Sequence, residues 1–215
     1  MIVTAHQPNF LPGMSVVSKI RASDAVIWLD RVQYTKGGFT NRNRLPSGEW
    51  LTVPVQKHPS RHPIGEVLIG DPVGREWRPA VVRQLRQWWQ GETADAVVEE
   101  LERPYGLLLG LNFALLQVTL PQLASGARWA FQSMLETGEP VPVVSEEATE
   151  LVPISDRLAM MVAELGGDVY LSGSSGRNYL DEEPFAERGI AVEYWAFDGP
   201  NPCVLDVLAR VEVLA

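Results

Sequence analysis

The chain has 215 residues, of which 46% are hydrophobic and 21% charged, and its net charge is −9, as in water-soluble globular proteins. It contains no apolar run of about eighteen residues and opens without a secretory signal pattern, so we expect neither a membrane span nor export. Its single cysteine excludes an internal disulfide, which favours the cytoplasm.

Positive charge is concentrated near the start of the chain. Residues 1–65 contain eight Lys or Arg and three acidic residues, a balance of +5, and the remainder carries −14. General nucleic-acid binding needs a broad positive surface, so we do not expect it. One basic block fits the binding of a small anion at one focused place. A chance unevenness of solvated charges is the alternative.

The first thirty residues predict a βαβ unit. Residues 1–5 are apolar and β-branched, as in a buried strand. Residues 6–13 contain two prolines and predict an irregular loop. A helix is predicted over 14–23 and a second strand over 24–30. This order implies parallel strands joined by a right-handed crossover.

The middle of the chain changes character. After a polar stretch with a turn at Pro46–Gly48, strands are predicted at 49–55 and 65–71. Residues 75–138 are rich in Leu, Ala, Gln and Arg, with apolar residues three and four apart. That spacing is typical of helices, and prolines and glycines divide the stretch into three or four.

The last third returns to alternating strands and helices. An exposed connector or edge strand is expected at 139–153. A helix is predicted over 154–167, a strand over 168–173, a short helix over 181–189 and a strand over 190–197. We therefore predict one α/β domain spanning residues 1–215. Its mostly parallel sheet is built from N- and C-terminal βαβ-like units, with a helical insertion at about 75–138.

Two polar residues follow the predicted N-terminal strands. Ligands of parallel α/β proteins collect at the carboxyl ends of strands. His6 directly follows the first strand, where an imidazole can act as acid or base. Asp30 ends the second strand and is expected at the same edge, orienting His6. The alternative for His6 is a bond to a backbone carbonyl that fixes the loop.

A run of hydrogen-bonding residues surrounds the glycine pair Gly37–Gly38, where the chain could approach a ligand closely. Arg42 could clamp a carboxylate or phosphate, with Lys36 as a point charge. Arg31 and Arg44 are expected to be solvated. The other candidate ligand-binding residues of the N-terminal part are Gln7, Asn9, Gln33, Asn41 and Lys57.

The stretch "YLSGSSGRNYLDEE" (170–183) joins a predicted strand to a predicted helix. Backbone N–H groups of small residues in such a turn can point at an anion. It contains neither a P-loop nor a nucleophile elbow, so an ordinary turn is the alternative. Its candidate binding residues are Ser172, Gly173, Ser174, Ser175, Gly176, Asn178 and Tyr179.

The sequence favours neither a metal site nor a cofactor. "HPSRH" (58–62) places two histidines four apart, but the proline between them argues against a helix that would align them. Cys203 is expected to be a buried apolar residue.

Several blocks resemble the WbqC-like protein family: "HQPNFLP" (6–12), residues 23–45, "WLTVPVQK" (50–57) and residues 166–194. Gly13–Met14, where the family tends to have an aromatic residue, and the C-terminal "NPCVLDVLARV" depart from its pattern. Residues that match its polar signature are His6, Gln7, Pro8, Asp30, Lys36, Arg42, Gly173, Gly176, Tyr179 and Asp206.

The resemblance implies a role in bacterial O-antigen or related biosynthetic clusters, with transfer of an aminoacyl group such as glycine to an intermediate. The leading hypothesis is therefore a transferase with His6 as general base and with Asp30 and Lys36 as further catalytic residues. Its expected substrate is a small anionic molecule or a carrier-linked one, which makes a carrier protein a candidate partner. One alternative is a nucleotidyltransferase-like enzyme, although the chain has "HQPN" where adenylyltransferases have H-x-G-H. A non-catalytic ligand-binding protein of a biosynthetic complex is the other.

Overall fold

The computed structural model describes residues 1–58, 62–71, 73–124, 126–138 and 154–209, so the connector expected at 139–153 lies outside the described residues. The chain divides into two compact units, and neither is one continuous segment. The first unit comprises Met1–Gln7, Ser18–Val32 and Ala124–Gly199. The second unit comprises Pro8–Val17, Gln33–Leu123 and Pro200–Ala215.

Strands and helices alternate at both ends of the chain. The described residues form the strands β1 (Ile2–His6), β2 (Ala25–Trp28), β3 (Arg42–Arg44), β4 (Trp50–Thr52), β5 (Arg128–Phe131), β6 (Val169–Gly173) and β7 (Ala191–Trp195). They also form the α-helices α1 (Met14–Arg21), α2 (Arg78–Arg86), α3 (Glu92–Glu102), α4 (Leu108–Thr119), α5 (Ile154–Glu164), α6 (Glu183–Ala186) and α7 (Val204–Leu208). None of these helices is long and apolar enough to cross a membrane.

The first unit contains a five-stranded sheet in the order β5-β2-β1-β6-β7. All four pairings are parallel, which confirms the predicted α/β fold and the parallel βαβ unit. Parallel strands buried on both faces read as apolar runs, and the four residues of β2 are all buried.

The core of the first unit lies against one face of this sheet. Val3 and Ala5 of β1 belong to it, because alternate residues of a strand point to the same face. From α5, Leu158 and Val162 complete the contact, and the ring of Tyr170 in β6 belongs to the same cluster. The remaining β1 residues, including His6, therefore point to the other face.

Two predictions about the middle of the chain are wrong. Residues 128–131 were expected in the helical insertion but form β5, which pairs with β2. The aromatic residues Trp129 and Phe131 favour a pleated, half-buried strand. Residues 65–71 do not form a named strand. A 3-10 turn at Ile64–Glu66 precedes isolated bridges that include Leu68↔Leu107.

The second unit combines a hairpin with the predicted helices. Strands β3 and β4 pair antiparallel, with Arg44 opposite Trp50, and β3 was not predicted. Helices α2, α3 and α4 fall within the predicted helical stretch. Cys203 is buried, as predicted, and its burial raises the pKa of the thiol to about 12.

Close packing between β1 and the end of α5 leaves no room for a side chain at Gly167. A Cβ there would lie 2.7 Å from methyl groups of both Val3 and Val162. We expect Gly167→Ala to lower the free energy of unfolding by about 1–3 kcal/mol through overpacking. Gly126→Ala is the control, because nothing lies within 4 Å of its Cβ position. Equal denaturation midpoints for the two variants would contradict this packing.

Candidate functional site

The strand order of the first unit reverses between β1 and β6. From β1 the chain proceeds outward to β2 and β5, and it then returns to the opposite side of β1 to form β6 and β7. In open α/β sheets, ligands bind outside the carboxyl ends of the strands at such a reversal. The topology therefore points to the gap between β1 and β6.

Strands β1 and β6 separate toward their carboxyl ends. Their register covers only Ile2↔Val169 and Val3↔Tyr170, whereas the pairing of β1 with β2 continues to His6. Beyond the ladder, the hydroxyl of Thr4 donates to the carbonyl of Leu171 at 2.7 Å. We call the gap between Ala5–His6 and Ser172–Gly173 the switch-point crevice.

His6 ends β1 beside this crevice and keeps some solvent exposure. Its Nδ1 lies 2.8 Å from the carbonyl oxygen of Gln7. Since a carbonyl only accepts, Nδ1 carries the proton and donates, and the neutral ring then has a free lone pair on Nε2. Nε2 has no hydrogen-bond partner among the described residues.

The surroundings of His6 strongly favour its neutral form. The pKa of the imidazole is lowered to about 3, mainly by burial and further by the positive charge of Lys19. The hydrogen bond to the carbonyl of Gln7 acts in the opposite direction and raises this pKa. The ring is therefore neutral at pH 7, with its one proton on Nδ1, and Nε2 is able to accept a second proton. The loop-fixing bond considered from the sequence is formed, and it also sets the tautomer.

Lys19 is the residue of this region that sequence reasoning missed. It lies in the last turn of α1, is buried, and donates from Nζ to the carbonyl of Ala5 at 3.1 Å. Burial lowers the pKa of the ammonium group to about 8. One lysine among apolar residues of a helix carries no local signal that distinguishes it from a solvated lysine.

The direction of the Ala5 carbonyl shows where the ammonium group lies. The carbonyls of Ile2 and His6 accept from the N–H groups of Asp24 and Leu29, on the β2 side. Successive carbonyls of a strand point to opposite sides. The carbonyl of Ala5 therefore points to the β6 side, and the Nζ of Lys19 bonded to it lies at the switch-point crevice.

Asp30 follows β2 by two residues and is buried. Its Oδ1 accepts from the backbone N–H of Ser133 at 3.0 Å, which joins it to the segment after β5. The hydrogen bond expected between Asp30 and His6 is not formed in the described structure, because Gln7 accepts from the imidazole instead.

The serine-glycine stretch forms a compact turn at the end of β6. Ser172 is buried and its hydroxyl donates to the carbonyl of Gly173 at 3.2 Å. A 3-10 turn follows at Ser174–Asn178. A Cβ at Gly176 would overlap the hydroxyl of Ser172, so a larger residue there would displace that side chain. Because β1 and β6 are parallel, this turn and His6 end their strands at the same edge of the sheet.

The remaining candidates of the first unit differ in exposure. Ser175, Asn178 and Tyr179 are exposed, whereas Gln7 is half-buried beside His6. Those of the second unit also differ. Asn9 is half-buried, and Gln33, Lys36 and Lys57 are exposed.

Asn41 has a structural environment within the second unit. The hydroxyl of Tyr34 donates to its Oδ1 at 2.8 Å, and its Nδ2 donates to the carbonyl of Val53 at 2.8 Å. These bonds use the amide to hold the hairpin in place. Asp206 likewise accepts from Trp89 Nε1 and from the N–H of Cys203, both at 2.9 Å, and caps α7.

Arg42 and Arg44 both stack on Trp50. Their guanidinium carbons lie 3.9 and 3.8 Å from the ring centroid, and the exposed Phe39 ring lies 5.7 Å from it. Each arginine also donates to one backbone carbonyl, that of Gly37 or Gly48. The carboxylate of the nearby turn, Glu49, accepts from Ser47. Arg44 is exposed, in agreement with the expected solvated position, and it also stacks on Trp50.

Asn112 was also missed from the sequence. Buried in α4, it donates through Nδ2 to the carbonyls of Pro8 and Thr40, both at 2.7 Å. The N–H of Phe10 adds a bond to the carbonyl of Phe39 at 3.1 Å. Within the second unit, the loop after β1 is therefore held against the glycine-containing segment.

The charge of Lys19 should influence the titration of His6. We expect Lys19→Met to raise the pKa of His6, because a positive neighbour disappears, while burial keeps it below 6.5. Histidine NMR titration measures this, with His6→Gln assigning the signal. Arg21→Met, which removes an exposed charge from the same helix, is the control. An unchanged His6 titration in Lys19→Met would contradict the coupling.

His6 should also make stability depend on pH. Its folded pKa of about 3 lies below the ordinary 6.5, so between these values the unfolded chain takes up a proton that the folded chain does not. Its contribution to stability is therefore complete above pH 6.5 and decreases as the pH falls toward 3. We expect denaturation midpoints of His6→Gln to lose less in this window than wild-type midpoints. Parallel curves would contradict the assignment.

Comparisons with known proteins agree with the sequence blocks. The model of the WbqC-like protein family matches residues 7–202. An uncharacterized protein of Mycobacterium tuberculosis, Rv1507c, is 30% identical over 231 aligned positions, which cover 97% of this chain and 93% of that protein. No solved structure matches the chain. The chain belongs to the WbqC-like protein family.

Proposed function

We propose that the protein is a biosynthetic group-transfer enzyme that moves an aminoacyl or acyl group from an activated donor to an amine or hydroxyl of an intermediate. The observation that carries this proposal is the neutral imidazole of His6, with a free Nε2, beside the switch-point crevice. Such an imidazole can take the proton of an attacking amine or hydroxyl.

Because the donor is already activated, the proposed transfer needs no covalent enzyme intermediate. The acceptor's nitrogen or oxygen forms a bond to the activated carbonyl carbon, and its proton passes to Nε2 of His6. The carbonyl π electrons move to oxygen and return when the bond to the leaving group breaks. The proton on Nε2 then passes to that leaving group. The negative charge that develops on the carbonyl oxygen raises the pKa of the nearby imidazole, so His6 becomes a stronger base during the attack.

Gln7 has a defined part in this proposal. Its carbonyl holds Nδ1–H at 2.8 Å, which fixes the ring and stabilises the imidazolium that forms. Asp30 is proposed to have an indirect role, in which its Oδ1 holds the segment after β5 by accepting from the N–H of Ser133. Backbone amides of the turn from Gly173 to Gly176 are proposed to contact the substrate at the same edge.

The second unit supports an anionic donor. The Trp50 ring holds the guanidinium groups of Arg42 and Arg44, and each arginine donates to one backbone carbonyl and keeps further N–H donors. Lys36, which precedes this hairpin in the sequence, is exposed. Arginine forks match phosphate and carboxylate groups. We propose that this arginine surface binds the anionic part of a carrier-linked or nucleotide-linked donor.

The same arginine surface favours a second candidate function, that of a nucleotide-binding enzyme related in chemistry to nucleotidyltransferases. Phosphates suit the guanidinium groups and a base could stack on the exposed Phe39 ring. Thermal-shift measurements with ATP and CTP separate the candidates. Protection by a nucleotide alone, with no effect of acyl donors, would favour nucleotidyl transfer.

Replacing the proposed base tests the enzyme directly. In a strain that depends on this gene for a measurable product, we expect His6→Ala to reduce output by at least about 100-fold. His62→Ala is the matched control, since His62 contacts the carbonyl of Glu66 within the second unit. Mass spectrometry of the product pool measures the outcome and identifies the transferred group. Full output from a folded His6→Ala variant would overturn the proposal and favour a non-catalytic ligand-binding role.

A further inference from the structure

We propose that Lys19 forms an anion-binding site at the switch-point crevice, where its ammonium group binds a carboxylate, phosphate or developing oxyanion of a small ligand. The anion's identity as part of the reacting substrate rests on the proposed function. Binding itself depends only on the position and the unsatisfied hydrogen-bonding capacity of Lys19.

The position follows from the backbone. Nζ of Lys19 bonds the carbonyl of Ala5, which points toward β6. The ladder between β1 and β6 has already ended at Val3↔Tyr170. The ammonium group therefore lies where a further ladder bond would have formed, in the gap between separating strands and not on the outer surface of α1.

The charge of Lys19 has incomplete compensation. An ammonium group has three N–H donors, and one of them finds a partner, Ala5, among the described residues. No carboxylate of the described residues lies within 4.0 Å of Nζ. Only 6% of the residue is exposed, so water has little access to the remaining N–H donors of the ammonium group. Burying an unpaired charge is costly. The single bond to the carbonyl of Ala5 does not account for this cost, because a neutral donor such as glutamine could form that bond.

The neighbours of Lys19 on β1, β2 and β6 do not compensate its charge. His6 is the titratable neighbour on β1, and it is neutral. Asp30, the buried acid after β2, is already bonded to the N–H of Ser133. The ends of β6 and its turn contribute the neutral Ser172 and Gly173. Because Asp30 forms no ion pair with Lys19, an anion in the crevice would not compete with this carboxylate for the ammonium group.

This arrangement gives Lys19 a step in acyl transfer. When the acceptor attacks the carbonyl carbon, electrons move to oxygen, and that oxygen accepts a hydrogen bond from Nζ. The acceptor's proton passes to Nε2 of His6. When the intermediate collapses, the electrons return to the carbonyl and the leaving group takes that proton. Lys19 keeps its proton throughout and stabilises the charge as it develops.

The lysine content makes a direct test possible. The chain has three lysines, so 13C-labelling of lysine gives three Cε signals, assigned with single Lys→Met variants. The full chain is titrated with inorganic phosphate and with acetate, with sodium chloride adjusted to hold the ionic strength constant. We expect the Lys19 signal to shift saturably and its titration midpoint to rise, because an anion stabilises the ammonium form. The exposed Lys57 is the internal reference.

A thermal-shift assay provides the second measurement. We expect phosphate to stabilise the wild-type protein, Lys19→Met to weaken this response, and Lys57→Met to retain it in full. A Lys19 signal that shifts with neither anion would overturn the proposal. The role of Lys19 would then be structural, as the donor to the carbonyl of Ala5 at the end of β1. If Lys19→Met does not fold, the wild-type titration decides alone.

The two proposals can fail separately. If His6→Ala loses the product and the Lys19 signal does not shift with either anion, the anion site is overturned and the proposed transferase activity stands. A responsive Lys19 signal together with full product in His6→Ala would keep the anion site and overturn the proposed reaction.

Discussion

The parallel alignment of five strands is the constraint on which the first unit depends. With β1 in the middle and the chain reversing beside it, the carboxyl ends of β1, β2 and β6 share one edge. His6, Asp30 and the turn after Gly173 occupy that edge because each follows the end of its strand. The separation of β1 from β6 beyond Val3 then opens the crevice without any unusual backbone conformation there.

Electrostatics at this edge follows from burial. Burial disfavours positive charge on both the imidazole and the ammonium group, and the charge of Lys19 further raises the cost of protonating His6. The result is a neutral His6 next to a Lys19 that still carries most of the charge at neutral pH. A base and a cation in one place suit a reaction in which a proton leaves one atom while negative charge collects on another.

Local patterns were enough to predict most elements of the sheet. Apolar β-branched runs identified β1, β2, β6 and β7, and strand ends identified His6 and Asp30. Strand β5 was missed because Trp129 and Phe131 lie in a stretch whose neighbours have helical spacing, and pairing with β2 decides its conformation. The fold class was therefore predictable, whereas the edge strand depends on tertiary contact.

The site was only partly predictable, for a physical reason. Residue type and position after a strand indicated His6, but the partner of its Nδ1 depends on backbone geometry that a sequence pattern does not contain. Lys19 depends on which side of β1 the Ala5 carbonyl faces, a fact fixed by strand pairing. Asn41 was a candidate ligand by type, yet its bonds to Tyr34 and Val53 show an amide used within the fold.

The central place of β1 has a consequence for biosynthesis of the chain. Ile2 is synthesised long before Val169, its partner on the β6 side, because most of the chain lies between them. Until then that edge of the strand has unsatisfied N–H and C=O groups, which are open to pairing with other nascent chains. Slow translation or a stall before residue 169 would therefore prolong an aggregation-prone intermediate, and chaperone capture would matter most during this interval.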